Sequence, residues 1–383
     1  MTITTNILYL SELESKLALY KELEDKLDAL RQFKIEKTQN IEEAFFKDPS
    51  QLPLTMSSLT QLADAILIST YELARQELRN IYGFPGFKDP GGNYQISDFA
   101  IIGMGKLGGR ELHFGSDLDL IFVFNPNGET QGKKVITNQE YFAKLAQRII
   151  NYLAVPTRYG YAYKIDTELR PSGNAGALVT CLDTWMSYYH EHAADWEKQA
   201  LLKARLIYAS GHFEEKFRGL FKRLIFLKPF SQELNEKIHH LRMRIEKELA
   251  KESPRRWDYK KGKGALIDIE FAMQYLQLKL GKIFDQVLTN NTLEAIDRFQ
   301  LRKTLSTDHA EILRRAYYFY RVIEIFLEIK FKLREGYLDP EHECVAELAQ
   351  LMSFENKENF LEYFEKTRLE VRETYLKILN LDS

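Results

Sequence analysis

Two cysteines, Cys181 and Cys344, in a chain of 383 residues supply no disulfide framework. An excess of one charge is missing too. The 53 Lys and Arg stand against 55 Asp and Glu, so at a net charge of −2 no global field draws the chain to nucleic acid or to an anionic membrane. No uncharged apolar run is long enough to span a bilayer, and no basic, apolar leader opens the sequence. These absences lead to the expectation of a soluble, cytoplasmic protein with no nucleic-acid or membrane partner. A Walker A loop is also lacking. His113, His190, His192, His239, His240 and His342 form no metal-ligand pattern, and no Ser/His/Asp or Cys/His constellation stands out. What the chain does have is 45% hydrophobic residues, enough for sizeable cores in two or three domains.

The most informative stretch is Ile101 to Phe124, IIGMGKLGGRELHFGSDLDLIFVF. It combines an apolar strand, a glycine-rich turn with one lysine, and a second strand that opens on two aspartates. Side chains alternate along a strand, so Asp117 and Asp119 share a face, with roughly 6 to 7 Å between their Cα atoms. Carboxylates at the mouth of a buried strand need cations or hydrogen-bond donors to offset desolvation. Magnesium fits: it takes oxygen ligands, commonly one or two carboxylates plus substrate phosphates. Gly103, Gly105, Gly108, Gly109 and Gly115 let backbone approach phosphate oxygens, and Ser116 adds a hydroxyl. Gly103, Gly105 and Gly108 also match GxGxxG, but an acidic strand follows too soon for a dinucleotide fold. The stretch is therefore a candidate site for a metal-bound triphosphate.

Elsewhere helical periodicity dominates. Apolar residues recur every three or four positions from Leu10 to Leu30, which predicts one amphipathic helix; packing on its own domain is the expectation, and a partner-binding coiled coil the alternative. Asp48-Pro49-Ser50 and Pro53 predict a break, Ser58 to Arg79 a second helix, and Gly83 to Gly92 (GFPGFKDPGG) a linker. Asn125 to Gly132 is a polar turn, Asn138 to Ala154 a helix, and the alternation of Tyr161 to Leu169 a strand with Asp166 on it. Beyond Cys181 the chain is expected to be mostly helical, with long helices over Glu311 to Leu333 and Glu355 to Leu381. Six basic residues between Lys251 and Lys263, interleaved with Trp257 and Tyr259, are a weak RNA-binding signal in a slightly acidic protein.

The glycines, the serine and the DxD pair resemble the nucleotidyltransferase superfamily of DNA polymerase beta. Within it, GMGKLGGRELHFGSDLDLIF is similar to the catalytic motif of the glutamine synthetase adenylyltransferases, two-halved enzymes that place and remove AMP on a tyrosine of that synthetase. YKIDTELRPSGNAGALVT resembles the family segment that carries a third acid, and DWEKQALLKAR and DYKKGKGALIDIEF resemble further segments, the last with Ala265 where a second glycine is usual. The resemblance implies an α+β fold: a small mixed-sheet nucleotidyltransferase domain (94–182) between a helical region and linker (1–93) and a helical C-terminal domain (183–383) that forms a bundle. It implies two magnesium ions held by the catalytic Asp117, Asp119 and Asp166, with ATP as substrate. Gly105, Lys106, Gly108, Gly115, Ser116, Arg170, Lys203 and Arg205 are the implied nucleotide contacts. For Arg170 a structural pairing with Glu168 or a neighbouring carboxylate is the alternative, and for Lys203 and Arg205 a solvated helix face. Asp268 and Glu270 either cap a helix or contact ligand.

The implied partner is glutamine synthetase, with a nitrogen-signalling regulatory protein as a second. The expected reaction is AMP transfer from ATP to a protein tyrosine. The alternatives are phosphorolytic removal of AMP giving ADP, or a non-catalytic nucleotide-sensing module.

Overall fold

The computed structural model describes residues 9–211 and 213–381. The expected regions 1–93 and 183–383 each include residues outside the described ones. The chain forms two compact units: Met1–Leu112 with Ser116–Leu227, and His113–Gly115 with Lys228–Ser383. The sequence-based division falls instead at 93 and 182.

The first unit opens with helices α1 (Leu10–Leu17), α2 (Leu23–Lys47) and α3 (Leu52–Tyr82). The single helix expected over Leu10 to Leu30 is interrupted between α1 and α2, where Tyr20 N–H closes a turn onto the Leu17 carbonyl. Pro53 does not break a helix, because it sits in the first turn of α3, where a missing N–H costs nothing. Asp48 caps the turn before it, accepting from Ser50 N–H at 3.1 Å. The expected linker is strand, not coil: β1 (Pro85–Lys88) pairs antiparallel with β2 (Tyr94–Ile96) and with β5 (Glu129–Thr130), itself within the expected polar turn.

The main sheet has the order β6-β4-β3-β8, with β7 also on β4. Its members are β3 (Asp98–Gly103), β4 (Leu118–Asn125), β6 (Ile165–Asp166), β7 (Val179–Cys181) and β8 (Arg205–Ala209). β3 runs antiparallel to β4 and β8, while β6 and β7 run parallel to β4. A four-residue helix, α4 (Gly105–Gly108), connects β3 to the loop before β4. α5 (Asn138–Ala154) follows the expected bounds. Thr137 caps it by accepting from Glu140 N–H at 3.2 Å, and Phe142, Leu145, Ile149 and Leu153 are buried. The Phe142 ring stacks on Phe99 and Phe124, with centroids 5.3 and 5.0 Å apart, and so fastens α5 to the sheet.

Two sequence expectations change here. The strand predicted over Tyr161 to Leu169 shrinks to Ile165–Asp166, since only those residues pair with β4. After α6 (Leu182–Glu191) and α7 (Asp195–Leu201), the chain does not stay helical: Arg205–Ala209 becomes β8, because β3 offers an open edge at Ala100 to Gly103. Short helices α8 (Phe213–Phe217) and α9 (Leu220–Ile225) close the unit.

The second unit is a helical bundle of α10 (Leu234–Ile245), α11 (Leu266–Leu280), α12 (Thr292–Leu301), α13 (Thr307–Phe331), α14 (Cys344–Leu351) and α15 (Lys357–Leu379), plus the pair β9 (Trp257–Asp258) and β10 (Tyr337–Leu338). Asp268, fully buried in the first turn of α11, accepts from Arg242, from Arg372 Nε at 2.7 Å and from Gly264 N–H at 2.9 Å. It therefore organises the bundle, answering the open question over its role on the structural side. Among the described residues no helix is long and apolar enough to cross a membrane.

Candidate active site

The site grows from strand pairing. β4 and β6 lie parallel with Asp119 directly opposite Asp166, so two acids separated by 46 intervening residues stand side by side at neighbouring strand ends. The Asp119 backbone carbonyl accepts from Met104 N–H at 2.9 Å, which ties the acid's position to the start of the glycine turn. Asp117 lies one residue before β4 begins and is exposed, so it stands at the rim and not on the strand itself. Asp166 Oδ1 accepts from Glu168 N–H at 2.7 Å.

Burial pushes the Asp119 carboxyl up from 3.8 to about 6; Asp166 and then Asp117 add to the shift, while Lys106 opposes it. An acid so placed is an unstable anion seeking a cation. The carboxylates are hard oxygen donors, which fit magnesium. Among the described residues no three acidic, histidine or cysteine side chains are drawn together into a ready metal cage. Magnesium does not need one, since it keeps waters and recruits substrate phosphate oxygens.

The glycine stretch is a helical turn and not an open loop. Gly105 adopts φ +51°, and a Cβ there would lie 2.4 Å from Asp119 Oδ2; only glycine lets this backbone pass the acid. Gly108 is equally constrained, with the Lys203 carbonyl oxygen 1.8 Å from where a Cβ would stand. Lys106 is half-buried in the same turn, and its charge acts on Asp119. Ser116 is half-buried directly before Asp117. Gly115 belongs with the second unit, where a Cβ would collide with Glu328 Oε1 at 1.4 Å; its close approach is to a glutamate.

The remaining expected nucleotide contacts are engaged elsewhere. Lys203 Nζ lies 2.7 Å from Glu111 Oε2, a carboxylate only 1% exposed. Arg205 makes a two-pronged pair with Asp64, at 2.8 and 2.9 Å, and also donates to the Leu107 carbonyl. Neither residue lies on a helix: Lys203 follows α7, and Arg205 opens β8. Arg170 donates to the Thr167 carbonyl and hydroxyl, both at 2.7 Å, and to Gly176 O; Glu168 instead accepts from Asn174. Arg170 thus organises its own loop. Sequence reasoning missed Asp64 and Glu111. Nothing in α3 singles out Asp64, which is 141 positions from its partner.

The second unit holds one further part of the motif. His113 lies with Nδ1 2.6 Å from Glu328 Oε2 and Nε2 3.2 Å from Glu324 Oε1, both carboxylates on α13. Burial pushes the Glu328 carboxyl up, but the hydrogen bond and charge of His113, the Gly115 amide and Arg334 more than offset it, leaving it below the ordinary 4.5.

A mixed sheet bearing two side-by-side carboxylates behind a glycine turn, set among helices, defines an α+β domain of the nucleotidyltransferase type. The family model for glutamate-ammonia ligase adenylyltransferase matches residues 2–220, and one for GlnD PII-uridylyltransferase matches 232–379. The chain belongs to the glutamate-ammonia ligase adenylyltransferase family. It is 33% identical over 85% of its length to the bifunctional glutamine synthetase adenylyltransferase/adenylyl-removing enzyme of Idiomarina loihiensis. It is 37% identical over 69% of its length to the enzyme of that name from Thioalkalivibrio sulfidiphilus, and 36% over 67% to that of Psychromonas ingrahamii. The matched segments span 34%, 28% and 27% of those relatives, between about a quarter and a third of their length.

Proposed function

We propose that the chain moves AMP from ATP to a tyrosine of glutamine synthetase in the cytoplasm. The observation that carries this reading is the register of Asp119 against Asp166. Magnesium, held by Asp119, Asp166 and the rim acid Asp117, would neutralise charge on the α-phosphate and pyrophosphate and lower the pKa of an attacking hydroxyl. An unaided tyrosine has a pKa near 10 and is almost wholly protonated at neutral pH, so it needs such help. Gly105 brings backbone against Asp119, and Lys106 supplies a positive charge beside it. Ser116 offers a hydroxyl at the phosphate turn. Lys203 and Arg205 act indirectly: paired with Glu111 and Asp64, they fix the turn that carries Gly108. Most of the acceleration would come from positioning and charge neutralisation. A nitrogen-signalling protein is the proposed regulator.

The relatives' names cover removal of AMP as well. The same acids serve phosphate attack on a tyrosyl-AMP bond, which breaks the bond from phosphorus to the tyrosine oxygen and releases ADP. The two directions separate in one experiment. Unmodified synthetase is incubated with magnesium and α-labelled ATP, and adenylylated synthetase with magnesium and phosphate. Label on the synthetase supports the proposal, ADP release supports the reverse direction, and the absence of both would show that the protein target is wrong.

A further inference from the structure

A cavity of about 460 Å³ opens in the first unit along the last turns of α3, lined by Glu72, Arg75, Gln76, Arg79, Asn80 and Phe84. Its size lies in the range of small-ligand pockets, roughly 300 to 1,000 Å³. Its charge is unbalanced. Arg75 pairs with Glu72 at 2.5 Å. The Arg79 guanidinium stacks on the Phe84 ring, 3.8 Å from the centroid, and among the described residues it meets no carboxylate and makes no hydrogen bond. The side-chain amides of Gln76 and Asn80 likewise make no hydrogen bond among the described residues and are exposed at the same lip.

Arg75 and Arg79 also act on a side chain outside the lining. The Tyr141 hydroxyl on α5 is buried with no hydrogen-bond partner, and the charges acting on it are those of Arg75, Arg79 and Arg148. Arg148 is matched by Glu77 at 3.2 Å, which leaves Arg79 as the surplus charge. The C-terminal end of α3 opposes an anion with roughly half a negative charge, less than one full guanidinium supplies. A guanidinium carbon held over an aromatic ring leaves N–H groups at its edge to grip an oxyanion.

We infer that this cavity is a binding site, separate from the catalytic acids, for a small metabolite carrying a phosphate or carboxylate group, gripped by Arg79 with Arg75 and the two amides and flanked by the Phe84 ring. The site stands whether or not the AMP-transfer reading does. Calorimetric titration of the full chain at low ionic strength tests it, with inorganic phosphate in one arm and succinate in the other. Three proteins are compared: the natural one, Arg79→Gln and Asp119→Asn. Saturable one-to-one binding of either probe is expected, and the tighter probe identifies the group. Arg79→Gln should weaken that binding about tenfold or more, because charge-assisted bonds are lost. Asp119→Asn should leave it unchanged. A thermal melt of Arg79→Gln matching the natural protein excludes misfolding, as expected for a side chain whose contact is one ring. Absence of saturable binding for both probes would overturn the inference. So would binding that ignores Arg79→Gln, or binding that responds only to Asp119→Asn and therefore belongs to the catalytic turn.

Discussion

Replacing Asp119 by Asn should make the metal-free protein more stable while abolishing its chemistry. The carboxyl is raised from 3.8 to about 6 by burial and by Asp166 and Asp117. Keeping it ionised therefore costs up to about 3 kcal/mol at neutral pH, at 1.36 kcal/mol per pKa unit. The cost is absent below about 3.8, where the acid is protonated folded and unfolded alike, grows through the window between 3.8 and about 6, and is complete above it. Asparagine preserves size and removes the charge, and because Asp166 relaxes in part, a gain of about 1 to 3 kcal/mol is expected at pH 7.5. In urea that moves the first unit's midpoint upward by about 0.5 to 1 M. Fully buried Trp185 reports the transition by fluorescence, with circular dichroism as a second probe. The gain should vanish near pH 4. Magnesium should narrow it at pH 7.5 by stabilising the natural protein alone. A variant equally or less stable at pH 7.5 would refute the reasoning, for Asp119 would then not be a strained anion awaiting a cation.

Other expectations follow from the same geometry. Gly105→Ala places a methyl against Asp119 Oδ2 at a φ of +51°, so the initial rate of AMP transfer should fall about a hundredfold while the far-ultraviolet spectrum is retained. Asp64→Ala strands Arg205, whose side chain is only 11% exposed, and should destabilise the first unit by about 3 to 5 kcal/mol in denaturant titration. Adding Arg205→Met to that variant should recover much of the loss. The Glu328 carboxyl, held below 4.5 chiefly by His113 against burial, contributes stability that is present above 4.5 and lost as pH falls through its lower folded value. His113→Gln should therefore flatten the acid limb of the second unit's stability profile.

Elements set by local pattern were legible in the sequence. α5 carries its apolar residues at helical spacing behind a capping threonine and keeps its expected bounds, and the apolar run Leu120 to Phe124 is strand as expected, although β4 begins only after Asp117. Elements set by distant partners were not. KARLIYA continues a helical pattern, and only the open edge of β3 makes it β8. GFPGF has turn composition, yet β2 and β5 on either side recruit it as a strand. The break between α1 and α2 carries no proline or glycine to announce it. In the candidate site, Asp117 and Asp119 were visible as a pair, whereas Asp166 was placed by resemblance, because a gap along the chain fixes no distance. The partners of Lys203 and Arg205 were invisible for that same reason: ion pairs across a fold leave no periodic trace.

The central claim is that Asp119 and Asp166 form one catalytic centre for AMP transfer. Its most direct measurement is a single-turnover assay with magnesium, α-labelled ATP and glutamine synthetase, comparing the natural chain with Asp119→Asn and Asp166→Asn variants shown to be folded. The account predicts labelled synthetase with the natural chain and loss of at least about a thousandfold in rate with either variant, since each removes a group acting on the transferred phosphate. Near-natural labelling by either variant would contradict it.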